Sequence, residues 1–177
     1  MKVGVIGLGY VGLPLAAAIQ KKTDYQVVGF DLSEKKIEKI KNRICPIDDH
    51  QCEQDLKEIT LQVSASDEIL AGCDIFIICV PTPVLDDYTP DLQPVKNAVS
   101  TVAKHLQKGN YVVIESTINP GVCDEVVIPM LEEATHLIAG RDFDVAHCPE
   151  RINPGDPHWN VYNIPRNIGS TRPESTR

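Results

Sequence analysis

Residues 2–12 read KVGVIGLGYVG, an apolar run that leads into the pattern GxGxxG. The apolar run predicts a buried strand, and the glycines fall where that strand would give way to a helix. In such a setting Gly7 permits a tight turn, Gly9 lets the backbone approach a pyrophosphate, and Gly12 lets the helix pack closely on the sheet. The segment therefore predicts the first strand and helix of a dinucleotide-binding domain, with the helix N-terminus facing the phosphates.

An acid follows at the position that this fold requires. Residues 26–31 (QVVGFD) predict the second strand, and Asp31 lies about 20 residues after the glycines, where an acid accepts hydrogen bonds from the adenosine ribose hydroxyls. The charge of Asp31 would repel a 2′-phosphate, so the sequence favours NAD over NADP. Lys36, in the helix predicted for residues 33–43 with Ser33 as its cap, is close enough to the ribose edge to complicate this preference.

The rest of the chain continues to alternate strands and helices, which predicts a doubly wound α/β domain with a parallel sheet, a Rossmann fold. Residues 45–54 predict a polar loop. The tail predicts at most a short strand at residues 166–169, because residues 170–177 (STRPESTR) offer no closing element. Further strands are predicted at residues 60–64, 74–80, 111–115 and 143–147, and further helices at 55–59, 94–107 and 120–133.

The composition narrows the classes of partner. Of the 177 residues, 42% are hydrophobic, which is enough for one packed domain, and the net charge is −8. This acidic balance argues against nucleic acid as a partner, because such binding needs clustered Lys and Arg. No apolar run approaches the roughly 20 residues of a membrane-spanning helix, so no membrane partner is expected. The six cysteines are scattered without a CxxC pair, which gives no support to a metal site and favours a cytoplasmic location.

Three more motifs each follow directly after a predicted strand: VPTP (80–83), ESTxxPG (115–121) and CPER (148–151). Ligands in a doubly wound sheet bind beyond the carboxyl ends of the strands, so all three motifs are expected at one edge. Purely structural roles are the alternative. VPTP would then be a proline-stiffened turn, and EST a helix cap through Thr117 or Asn119.

Together with GYVGLP at residues 9–14, these motifs resemble the UDP-glucose/GDP-mannose dehydrogenases, in the order of that family and over nearly the whole chain. The resemblance implies oxidation of the C6 alcohol of a nucleotide sugar to a carboxylate by two NAD, through a cysteine thiohemiacetal that becomes a thioester. It also implies that Thr117 helps to position a catalytic water. The implied cofactor contacts are Gly7, Gly9, Tyr10, Val11, Gly12, Asp31, Lys36, Thr82 and Thr117.

The same resemblance gives the CPER motif a role in chemistry. Glu150 is similar to the acid that the family associates with the substrate and with thioester hydrolysis, and a carboxylate there can act as a general base if its neighbours tune it. Arg151, the next residue, is a candidate substrate contact. The alternative for Glu150 is an ordinary surface acid in a loop.

Two departures from the family pattern refine this expectation. Residues 149–155 read PERINPG, in which Pro154 stands where many UDP-glucose members carry a second acid. The segment resembles instead the branch that acts on UDP-N-acetylhexosamines in capsule, Vi-type and O-antigen synthesis. The glycine-rich segment that holds the family's nucleophilic cysteine has no match here, and Cys148 lacks any such loop, so it is not expected to be the nucleophile.

Residues 1–177 are therefore expected to form a single NAD-binding domain, the truncated N-terminal part of a longer enzyme. The central helix and the C-terminal UDP-binding domain would lie outside it, the full-length enzyme would be a homodimer, and the fragment alone would turn nothing over. Another two-domain Rossmann dehydrogenase, of the hydroxyacid or hydroxyacyl-CoA type, is one alternative, but it has no reason to carry VPTP, EST and CPER together. A non-enzymatic NAD-binding module is the other, and the length of the complete reading frame tests it.

Overall fold

The computed structural model describes residues 1–152 and 158–176 of the chain. Within these ranges the strands are β1 (Lys2–Ile6), β2 (Gln26–Phe30), β3 (Gln62–Ser64), β4 (Ile75–Ile78), β5 (Tyr111–Ile114), β6 (Asp144–His147) and β7 (Gly169–Ser170). They form one sheet in the order β3-β2-β1-β4-β5-β6-β7. Strands β1 to β6 are parallel, and β7 runs antiparallel to β6.

This strand order confirms the doubly wound α/β fold. From β1 the chain crosses to β2 and β3 on one side, and it then returns to β4 on the other side of β1. The connections after β1 and β4 leave in opposite directions, and dinucleotides bind at such a reversal point.

Helices cover both faces of the sheet: α1 (Gly12–Lys22), α2 (Glu34–Lys41), α3 (His50–Glu58), α4 (Gln93–Ala103) and α5 (Ile128–Thr135). A π-helical segment, Cys123–Val127, leads directly into α5. One hydrophobic core lies under α1, α2 and α3, and a second lies under α4 and α5. Strand β4 serves both, since Ile77 belongs to the first core and Phe76 and Ile78 to the second. Burial on both faces explains the uninterrupted apolar runs of the central strands.

Helix α3 corrects the prediction of a polar loop at residues 45–54 and a short helix at 55–59. The helix begins at His50, because the carboxylate of Asp49 accepts a hydrogen bond from the backbone N–H of Cys52 at 2.8 Å and caps it. Helix α2 begins as predicted, with the Ser33 hydroxyl accepting from the N–H of Lys36.

Strand β7 corrects the prediction that residues 170–177 contain no closing element. Gly169 and Ser170 pair with β6, and a short 3-10 turn, Pro173–Thr176, follows them. The segment is held by charge rather than by apolar alternation: Arg172 binds both carboxylate oxygens of buried Asp144. The Arg172 guanidinium lowers the pKa of that carboxyl.

Candidate functional site

Two of the three glycines of the GxGxxG loop are required by the protein itself. Gly7 has a φ of +91°, and a Cβ on it would lie 2.7 Å from the carbonyl oxygen of Cys79. A Cβ on Gly12 would lie 1.9 Å from the carbonyl oxygen of Gly7, so only glycine lets α1 pack against the loop. Gly9 is different, since a Cβ there would meet no atom of the described residues within 4 Å. The space beside Gly9 is open, as close approach of a pyrophosphate requires.

The charges along α1 favour binding of an anion at its N-terminus. The first turn of the helix carries no acidic side chain, and Lys21 and Lys22 stand in its last turn. The lack of an acid leaves the positive N-terminal end of the helix dipole without a compensating charge in the first turn, and the two lysines balance the negative C-terminal end. Tyr10 is exposed and Val11 half-buried beside it, so these two side chains border the loop. The loop therefore fits the phosphates of NAD.

Asp31 lies at the end of β2, next to this loop, and is buried. Its carboxylate accepts hydrogen bonds from the backbone N–H of Leu8 at 2.8 Å and of Ser33 at 2.9 Å. Lys36 adds an ion pair at 3.0 Å and stays partly exposed. The predicted pair of an acid and a nearby cation is thus present, and the hydrogen bond from Leu8 to Asp31 joins the glycine loop to the end of β2.

The three remaining motifs meet at the carboxyl edge of the sheet, where hydrogen bonds join their loops. The Ser116 hydroxyl donates to the carbonyl of Val80 at 2.7 Å, which connects EST to VPTP. The N–H of Glu150 donates to the carbonyl of Glu115 at 3.3 Å, which connects CPER to EST. Thr82 is half-buried and Thr117 exposed at this edge. EST does not act as a helix cap through Thr117 or Asn119, because no side chain caps the π-helical segment.

A buried ionic cluster lies under the CPER loop, and we call Glu115, Glu150 and Arg166 the carboxylate clamp. Arg166 donates from Nη1 to Oε2 of Glu115 at 2.6 Å and from Nη2 to Oε2 of Glu150. The side chain of Glu150 is only 9% exposed, which rules out the alternative of an ordinary surface acid. Burial raises the pKa of Glu115 to about 6 against the opposing effect of the Arg166 cation.

Two neighbours of the carboxylate clamp, Arg151 and Cys148, also belong to the CPER motif. Arg151 is exposed, and its N–H donates to Oε1 of Glu150 at 2.6 Å. Cys148 is buried, and burial raises the pKa of its thiol, which supports the interpretation that it is not a nucleophile. Asn153, Pro154 and Gly155 of the PERINPG segment lie outside the described residues.

Sequence reasoning missed two members of the clamp. Glu115 was visible as part of the EST motif, but its burial beside a second acid depends on tertiary structure. Arg166 lies 51 residues from Glu115 along the chain. The one available signal was an arginine at the first position of the last predicted strand, residues 166–169.

The strand order, the glycine loop and the acid after β2 define a dinucleotide-binding domain of the Rossmann class. The sequence profile described as "UDP-glucose/GDP-mannose dehydrogenase family, NAD binding domain" matches residues 1–177. The chain therefore belongs to the UDP-glucose/GDP-mannose dehydrogenase family, and NAD is the cofactor that its fold and residues fit.

Relatives place the chain within that family. It is 39% identical, over 98% of its length, to the UDP-N-acetyl-D-glucosamine 6-dehydrogenase of Pseudomonas aeruginosa. The solved UDP-D-ManNAc dehydrogenase of Pyrococcus horikoshii is 42% identical over 88% of the chain, with a TM-score of 0.83. The NDP-N-acetyl-D-galactosaminuronic acid dehydrogenase of Methanosarcina mazei Go1 is 29% identical over 99% of the chain, with a TM-score of 0.91.

The chain is shorter than all three of these proteins. It spans 41% of the Pseudomonas relative, 37% of the Pyrococcus chain and 40% of the Methanosarcina chain. In residues 1–152 and 158–176, no helix is both long and apolar enough to cross a membrane.

Proposed function

We propose that this chain supplies the NAD-binding part of a nucleotide-sugar 6-dehydrogenase, which oxidises the C6 alcohol of a UDP-N-acetylhexosamine to the uronate for polysaccharide biosynthesis. The observation that supports this most directly is the joining of the VPTP, EST and CPER loops by hydrogen bonds at the edge where the glycine loop lies. An acid, Glu150, is thereby held at the same edge as a cofactor site. The choice of sugar rests on relatives that are named for UDP-N-acetylhexosamines.

In this proposal the roles of the residues follow from their positions. The open space at Gly9 and the start of α1 receive the pyrophosphate, and Asp31 with Lys36 receives the adenosine ribose. NAD, when bound, supplies the hydride acceptor. Thr117 is exposed at the end of β5, where it can orient a water. The remaining cofactor contacts of the proposal are Gly7, Gly12, Tyr10, Val11 and Thr82.

Glu150 and Arg151 face the substrate in this proposal. The carboxylate of Glu150 acts as a general base and accepts a proton during the reaction. The exposed Arg151 guanidinium offers several N–H donors to a substrate phosphate or carboxylate.

The same proposal covers the cellular compartment and the oligomeric state of the protein. All six cysteines are free thiols, which suits a reducing compartment such as the cytoplasm. We expect the complete enzyme to be a homodimer.

The test uses the complete gene product with UDP-GlcNAc, UDP-GalNAc, UDP-ManNAc and UDP-glucose, and it follows NADH formation. Two NADH per N-acetylhexosamine is the expected result. Activity with UDP-glucose alone would retain the family chemistry and refute the choice of sugar. No activity with any of the four, from protein that binds NAD, would refute the proposal as a whole.

A second experiment assigns the role of Glu150. In Glu150→Gln the carbonyl oxygen can still accept from Arg166, but the carboxylate charge is lost. We expect NADH formation to fall by about 100-fold or more, a typical contribution of acid–base catalysis, while NAD binding is retained. The matched control is Glu133→Gln, an exposed acid on α5, which should leave the rate unchanged.

A further inference from the structure

The carboxylate clamp places one cation between two acids that are almost removed from water. The side chains of Glu115, Glu150 and Arg166 are 5%, 9% and 18% exposed. Two buried carboxylates at close range repel each other, and an arginine fork between them can bind both. Each terminal nitrogen of Arg166 takes one carboxylate.

The hydrogen bonds of Glu150 single out one of its oxygens. Its Oε1 accepts from two backbone groups, the N–H of Arg151 at 2.6 Å and of Ile152 at 2.8 Å. Its Oε2 accepts from Arg166. An ionised carboxylate offers about four lone-pair positions. In the part of the chain that the structure describes, both backbone groups bind Oε1 and Arg166 binds Oε2, so Arg166 sets the direction of Oε2.

We propose that Arg166 is a positioning residue for this site: it fixes the Glu150 carboxylate by bracing it against Glu115, so that Oε2 of Glu150 is presented to the reacting group. This inference rests on the proposed function and names a residue that acts through Glu150.

The three residues of the carboxylate clamp come from separate segments of the fold. Glu115 follows β5, Glu150 follows β6, and Arg166 comes from the segment that returns towards β7. A backbone hydrogen bond from Glu150 to Glu115 already fixes the distance between the first two loops. Arg166 adds the side-chain contact that fixes the direction of the carboxylate. A misplacement of about 1 Å at a reacting group can cost about 100-fold in rate.

The kinetic test compares Arg166→Met and Arg166→Lys in the complete gene product. For Arg166→Met we expect kcat to fall about 100-fold or more, with the Kd for NAD unchanged, because the glycine loop and Asp31 are not part of the clamp. Arg166→Lys keeps the charge and should recover part of the lost kcat. Arg141→Met, the same change at an exposed arginine on the loop before β6, is the control. A kcat for Arg166→Met within a few-fold of wild type would overturn the proposal.

Glu115→Gln provides a second variant in case Arg166→Met does not fold. The groups that face Glu115 are Arg166, Glu150 and the thiols of Cys148 and Cys79. Removing the Glu115 charge alters the field at Glu150 through the shared arginine. We expect a lower kcat with the Kd for NAD unchanged, because a neutral side chain holds Arg166 less firmly. An unchanged kcat in Glu115→Gln would refute the role of Arg166 as a positioning residue.

Amide hydrogen exchange in residues 1–177 separates this inference from the proposed function, because it needs no activity. In Arg166→Met a released Glu150 carboxylate should let the Ile152 amide exchange about tenfold faster or more, a loss equivalent to one good hydrogen bond. The Leu8 amide, bound to Asp31, should not change. Unchanged exchange at Ile152 would overturn the inference that Arg166 positions the Glu150 carboxylate, even if the enzyme is active. Accelerated exchange in a protein inactive on every sugar would support the brace and refute only the function.

Discussion

The carboxylate of Asp31 accepts a hydrogen bond from the backbone N–H of Leu8 over 2.8 Å, so the acid after β2 holds the glycine loop after β1. Leu8 itself is fully buried. The residue that is expected to select the cofactor therefore also stabilises the loop that binds it.

This double role predicts two losses in Asp31→Ala. The N–H groups of Leu8 and Ser33 lose their acceptor, and we expect the free energy of unfolding to fall by about 2 kcal/mol. NAD affinity should fall about tenfold or more, which corresponds to about 1.4 kcal/mol. Urea denaturation and calorimetric titration measure the two effects. Asp24→Ala, at an exposed acid between α1 and β2, should change neither. Full stability in Asp31→Ala would contradict the role of the Leu8 hydrogen bond.

The glycine loop predicts opposite outcomes for two similar substitutions. Gly9→Ala should retain the stability of the fold, because its Cβ meets no described atom within 4 Å, but it should weaken NAD binding about tenfold. Gly12→Ala should lower the free energy of unfolding by about 3 kcal/mol, since its Cβ would overlap the Gly7 carbonyl. Thermal melts with and without NAD distinguish the two. Equal effects of both variants on the apoprotein would count against this assignment.

Glu115 predicts a pH-dependent loss of stability. Its folded pKa of about 6 lies above the ordinary value of 4.5, so between these values the folded state binds more protons than the unfolded state. Stability from this group is therefore present at low pH and is lost as the pH rises from 4.5 to 6, by on the order of 2 kcal/mol.

The measurement compares wild type with Glu115→Gln by urea denaturation between pH 4 and pH 8. The difference in unfolding free energy should shift in favour of the variant as the pH rises, because glutamine does not ionise. Glu133→Gln should give a difference that does not vary with pH. A flat difference for Glu115→Gln as well would show that Arg166 keeps Glu115 ionised throughout.

The ion pair between Arg172 and Asp144 is expected to stabilise β7 against β6. Arg172→Met removes the cation from the buried Asp144 carboxylate, which keeps a hydrogen bond from the Thr171 hydroxyl at 3.0 Å. Because Arg172 is 40% exposed, we expect the free energy of unfolding to fall measurably, but by less than the cost of breaking a fully buried pair. In Arg141→Met the free energy of unfolding should change much less, since Arg141 is mostly exposed and its ion pair is screened by water. Similar losses in the two variants would contradict a specific role for Arg172.

Local patterns in the sequence predicted the parts of the fold that depend on neighbouring residues. The glycine loop, the cap at Ser33 and the apolar strands all have short-range signals, and they lie where they were predicted. Helix α3 was missed over its first residues because a polar surface helix has a weak pattern, and only its cap, Asp49, marks the start.

The features that were not predicted depend on ion pairs between residues that are far apart in the sequence. Strand β7 is too short for an alternating pattern, and the contact that holds it joins Arg172 to Asp144, 28 residues earlier. In the candidate site, Glu150 was found from its motif. Its partners Glu115 and Arg166 were missed, because a buried ion pair between distant segments leaves no periodic trace in the sequence.

The two outer strands also affect whether copies of the domain associate through the edges of their sheets. β3 has three residues and β7 has two, so each border of the sheet exposes only a few unpaired backbone N–H and C=O groups. Pro173, shortly after β7, cannot donate a hydrogen bond that would extend that border. A strand from another molecule therefore finds little backbone to pair with, and the apolar central strands are shielded from edge-to-edge aggregation.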